Sequence, residues 1–211
     1  MCYNATVSAI TFLVTAAVCA YLWHRNKGYD HPIALILLFV SLMQLVEWGL
    51  WLHLDCGPLH KLLSACIPLL LYAQPLVINW VVGYYNAGWG AGYNIIAYIL
   101  VALFGVKAFS VFTNYAKGQT ECVTVNNGHL QWSANKNNLP FSTLENRFYA
   151  LAMLYPLITF KDMFFGLAYA LFGLLSLSIF QTSFTTTWPS MWCHFVNALS
   201  VLAIASPYVM K

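Results

Sequence analysis

Ser41-Leu-Met-Gln-Leu-Val-Glu-Trp-Gly-Leu-Trp51 lies inside a long apolar run, yet it carries an amide, Gln44, and a carboxylate, Glu47. A helix that crosses a membrane needs about 20 mostly apolar residues to span a hydrocarbon core of about 30 Å. An ionisable side chain at that depth is costly, so it faces a protein interior and finds a partner there. This stretch therefore marks both a membrane helix and the place where chemistry would sit.

Composition agrees. Of 211 residues, 61% are hydrophobic and 7% are charged. A soluble domain carries about 25% charged residues to cover its surface. Lipid is therefore the expected solvent, and a lipid bilayer the first partner. The net charge of +3 is scattered without a basic run, which leaves no nucleic-acid signature. The stretch before Trp23 has no basic n-region, so it reads as a first membrane helix and not as a cleavable signal. Six cysteines in a chain of this size do not make a disulfide scaffold.

Working outward from the opening stretch gives an all-α membrane protein, a single transmembrane domain over residues 1–211 built as a seven-transmembrane-helix bundle. The helices are expected from about Ala5 to Trp23, Pro32 to Leu54, Lys61 to Tyr84, Tyr93 to Thr113, Ser142 to Phe160, Met163 to Gln181 and Ser190 to Met210. Pro32 suits a first helical turn, and Pro68 with Pro75 should kink the third helix. Between the fourth and fifth helices, Asn114 to Pro140 is too polar to enter lipid. Within this surface loop Cys122 to Ser133 alternates around Asn127-Gly128, which predicts a small β-hairpin.

Arg25 and Lys27 follow the first helix, whereas no charge precedes it. This places the N-terminus outside and the C-terminus in the cytoplasm, although loop charges over the whole chain are balanced. In that orientation Cys56 and Cys122 share the outer side, where they either form a disulfide between two loops or stay as two thiols. Asn4-Ala-Thr6 is a glycosylation sequon on the same side.

Depth then gathers the polar outliers into one leaflet. Gln44 and Glu47 lie in the outer half of the second helix, Lys107 at a similar height in the fourth, and Cys193 and His194 in the outer third of the seventh. Cys2 sits at the mouth of the first. Gln44, Glu47 and Trp51 share one face at i, i+3 and i+7, while Ser190, His194 and Asn197 form a stripe on the seventh helix. Gln74 and Asn79 add polar atoms deeper in the third. A polar cavity between the second, third and seventh helices is expected, able to bind a small ligand or ion through Glu47, Gln44, Lys107, His194, Cys193, Gln74 and Asn79. The plainer alternative pairs Glu47 with Lys107 as glue between two helices, or lets Lys107 reach up to the interface. Cys2, Glu47 and His194 together would suit zinc or another borderline transition metal. Cys193 and His194 are neighbours and point about 100° apart on a helix, so they would not share one metal. His53, His60 and His129 are read as solvated loop or interface residues.

Several familiar classes do not fit. The last helix has Lys211 only at its end, so it lacks a mid-helix retinal lysine. Tyr84-Tyr-Asn86 and Ala205-Ser-Pro-Tyr208 stand where a G-protein-coupled receptor has its signature triplet and Asn-Pro-x-x-Tyr. No Thr-Val-Gly-Tyr-Gly filter is present, and the histidine and aspartate spacing of ceramidase-like membrane hydrolases is missing.

Met1-Cys-Tyr-Asn4, Gln44-x-x-Glu47-x-x-x-Trp51, Gly128-His-Leu-Gln-Trp132 and Ser190-Met-Trp-Cys193 together resemble a family of small uncharacterised membrane proteins of bacteria and large DNA viruses that begin Met-Cys-aromatic-Ser. Asn4 stands in place of the usual Ser. The resemblance implies a multi-helix membrane fold and a shared pattern at Cys2, Glu47 and Cys193, and it brings no activity. Three functions follow from the whole reading. The first is a small channel, carrier or ligand-binding membrane protein centred on Glu47. The second is a metal- or thiol-dependent membrane enzyme, and the third a structural protein of a viral or cellular envelope. A homo-oligomer is compatible with each.

Overall fold

The computed structural model describes residues 4–85, 91–126, 128–132, 149, 151–156, 171, 173, 175 and 199–205. Four long helices lead: α1 (Ala5–Arg25), α2 (Asp30–Leu52), α3 (Pro58–Tyr85) and α4 (Ala91–Ala116). All four are long and apolar enough to cross a membrane, which is compatible with a membrane protein. Described residues at 149, 151–156, 171, 173, 175 and 199–205 are also helical. The rest of the fifth, sixth and seventh expected helices lies outside the described residues.

Local chemistry sets the ends of the helices. Asn4 is the N-cap of α1, its side chain accepting from the Val7 N–H at 2.9 Å. Asn26, in the left-handed region at φ 48°, closes its C-terminus. Three starts move upstream of the expected ones, α4 beginning at Ala91 and not Tyr93. α2 begins at Asp30 and not Pro32, because the Asp30 carboxylate accepts from the Lys27 N–H at 2.9 Å across the turn. α3 begins at Pro58 and not Lys61, with proline in its first turn where a missing N–H costs nothing. It then runs unbroken through Pro68 and Pro75.

Among the described residues, two apolar cores lie along the helices. One joins Cys19 and Leu22 of α1, Ile33, Leu37 and Val40 of α2 and Ile78 and Val82 of α3 to Met153 and Ala203. The other joins Met43 and Leu50 of α2 to Ile67 of α3, and it is closed by Val123, Leu130 and Trp132 from the segment after α4. That segment forms a two-stranded antiparallel sheet, β1 (Thr124–Asn126) and β2 (His129–Gln131), with Val125 opposite Leu130. Gly128 supplies the positive φ, 75°, needed in the tight connection. Against this, α4 packs mainly on α3 and exposes Tyr98, Val106, Phe109 and Phe112. In a bilayer that face would meet lipid.

Candidate functional site

Glu47 and Gln44 are completely buried, each at 0% exposure on α2. Met43 and Leu50, one turn to either side of Glu47, belong to the core that the two-stranded sheet closes. Trp51, next along the same face, is half-buried against that core. Both Gln44 and Glu47 have interaction partners. A carboxylate held away from water in this way retains strong local fields, because little solvent screens it.

The segment covering this face is held by three attachments at one edge. A disulfide joins Cys56, in the connection between α2 and α3, to Cys122 across a Cα–Cα distance of 5.8 Å. Cys56 has φ 56°, a left-handed conformation uncommon for a residue with a Cβ. The Val123 N–H donates to Ser64 Oγ at 3.2 Å, and the Val123 carbonyl lies 3.1 Å from His60 Nε2. The other ring nitrogen of His60, Nδ1, contacts the His53 carbonyl. His60 is therefore buried and bridges backbone groups, which corrects its reading as a solvated residue. Beside the disulfide, a surface cleft of about 290 Å³ is lined by Cys56, Pro58, Lys61, Tyr115, Gly118 and Thr120.

Gln74 and Asn79 take up partners on another segment. The Tyr149 hydroxyl donates to Gln74 Oε1 at 2.7 Å. Asn79 Nδ2 donates to the Ala152 carbonyl at 3.2 Å and to the Pro75 carbonyl at 2.8 Å. These residues bind α3 to the helical residues 149 and 151–156, where a cavity shared with the seventh helix was expected. Lys107 lays its ammonium over the Tyr72 ring, 4.9 Å from the centroid, a cation–π contact between α4 and α3. Cys2, Cys193 and His194 lie outside the described residues. Among the described residues, no group of three His, Cys, Asp or Glu side chains could hold a metal.

Sequence reasoning missed the opposite end of the bundle. Arg25, read as a loop charge, donates from Nε and Nη2 to both oxygens of Asp30, at 2.8 and 2.6 Å. Its Nη1 and Nη2 also reach the carbonyls of Ile204 and Ala203, at 2.8 and 3.1 Å. The Ala203 carbonyl would ordinarily accept from residue 207, and Pro207 has no N–H to give. Pro207 four residues after Ala203 was the available signal. Around this pair, Trp23 stacks on His31 and His31 meets Tyr85 edge-on, in keeping with an aromatic interfacial belt.

Comparison with protein-family models, curated proteins and solved structures finds no match for the chain.

Proposed function

We propose that the chain is a seven-helix integral membrane protein, N-terminus outside, whose buried site at Glu47 binds a small cation or cationic ligand and can pass it across the bilayer. A distant kinship with the Met-Cys-aromatic-Ser membrane family belongs to the same proposal. The observation that carries this reading is Glu47 itself, a carboxylate at 0% exposure one helical turn from an equally buried Gln44, within an apolar span. A carboxylate and an amide oxygen suit a cation that sheds its water, as hard oxygen ligands do. The orientation is supported by Arg25 and Lys27 after α1 and by a disulfide at the Cys56 end, since such bonds persist in oxidising compartments.

A second reading has an observation of its own. Tyr149–Gln74 and Ala152–Asn79 are direct helix-to-helix hydrogen bonds, the kind of polar glue that membrane bundles use. On this reading Glu47 too would serve assembly alone. Flux into liposomes, measured in oxidising and in reducing buffer, separates the two. The cation reading expects uptake of a monovalent cation by the wild type and its loss in Glu47→Gln, with the Gln74→Leu variant still active once folded. Equal uptake by wild type and Glu47→Gln would leave the structural reading standing.

A further inference from the structure

The strands β1 and β2 have three residues each, and a sheet so small is not stable by itself. Its position rests on its attachments, which are unequally distributed. The covalent bond at Cys122 and both polar contacts of Val123 lie together at one edge. Trp132 stands across from Val123 in the register, and Val123, Leu130 and Trp132 are buried together among apolar side chains. The Trp132 indole N–H is buried with no hydrogen-bond partner among the described residues, so the closed position leaves a donor unsatisfied. One covalent bond, two polar contacts and an apolar seal with one unmet donor therefore hold the segment down at the same end. The segment lies on Met43 and Leu50, which stand at i−4 and i+3 from Glu47 on the same face of α2.

We propose that segment 122–132 is a lid over the Glu47 face of α2, locked by the Cys56–Cys122 disulfide and released by a dithiol reductant. The proposal rests on the reading of Glu47 as a binding site and adds its regulation. In the releasing step the two thiols of the reductant close into a disulfide. The Cys56–Cys122 bond breaks, and two electrons and two protons leave Cys56 and Cys122 as free thiols. The segment then keeps only the Val123 contacts to Ser64 and His60 and its apolar seal, which can lift to admit water and solute to Glu47.

The test reads the Glu47 carboxyl directly in intact protein in nanodiscs. A water-soluble carbodiimide with glycine methyl ester converts accessible carboxyls to amides, located by peptide mass spectrometry. Exposed Glu121 serves as the internal standard. The oxidised protein should modify Glu121 and leave Glu47 intact. After dithiothreitol, Glu47 modification should rise at least tenfold relative to Glu121, and it should fall back when oxidised glutathione re-forms the bond. The Cys56→Ser/Cys122→Ser variant should behave as the reduced protein does. Equal Glu47 reactivity in both redox states overturns the lid, and so does a rise that reoxidation fails to reverse. Monovalent-cation binding measured on the same samples separates the two proposals: a redox-switched Glu47 that binds no cation keeps the lid and removes the binding reading.

Discussion

Arg25 and Asp30 form a two-pronged ion pair, Nη2 to Oδ1 at 2.6 Å and Nε to Oδ2 at 2.8 Å, across the turn between α1 and α2. Their side chains are 8% and 2% exposed, so neither charge has much water to fall back on. The same guanidinium supplies donors to the Ala203 and Ile204 carbonyls. One side chain thus ties the chain's first connection to its last described helical segment.

Removing one partner should be far worse than removing both. Asp30→Asn or Arg25→Met leaves a buried charge uncompensated, which typically costs about 3–5 kcal/mol. The double variant Arg25→Met/Asp30→Leu should recover much of that loss, though the two carbonyls still lose their donors. Thermal unfolding in a mild detergent checks this. Additive losses in the double variant would show that the pair does not act as a unit.

The Gln74–Tyr149 bond should be worth about 1 kcal/mol, the scale of interhelical hydrogen bonds in membrane bundles. Tyr149→Phe and Gln74→Leu should each lower stability by that order, and together by less than their sum. A double-mutant cycle of unfolding in mixed micelles measures the coupling.

Reducing the disulfide should destabilise the folded chain. Cys56 and Cys122 are 66 residues apart, and closing a loop of that length is worth about 4 kcal/mol on the chain-entropy account. Lipid keeps the unfolded helices partly ordered, so this figure is an upper bound. Cys56→Ser/Cys122→Ser should unfold earlier in denaturant with the helices still formed by circular dichroism.

Burial lowers the pKa of His129 below its ordinary 6.5. The unfolded chain then takes up a proton more readily than the folded one. The sheet keeps its full stability above pH 6.5 and loses some as the pH falls through the lowered value. Hydrogen exchange at 124–131 should quicken on acidification in the wild type, and less so in His129→Gln.

The four described spans were legible because a bilayer imposes long apolar runs on a sequence, and the ends were misplaced by a few residues where caps decide. Asp30 and Pro58 extend their helices upstream through a turn hydrogen bond and a tolerated first-turn proline, and hydropathy weighs neither. Glu47 and Gln44 stood out as polar atoms in an apolar stretch, and both are buried. Partners were harder to read. Nothing local in the sequence says that Gln74 meets Tyr149, that His60 bridges His53 and Val123, or that Lys107 rests on Tyr72. These pairs join residues from separate elements, and only packing chooses between candidates of similar depth.

Glu47 is proposed to bind a cation. The most direct measurement of that binding is the unfolding temperature of the purified, oxidised and reduced protein in sodium, potassium and ammonium salts at constant ionic strength. A ligand at 100 times its Kd stabilises the folded state by about 2.7 kcal/mol. One of these cations should raise the unfolding temperature of the wild type, and Glu47→Gln should abolish the rise. No cation-specific shift in the wild type, or the same shift in Glu47→Gln, would contradict the proposal.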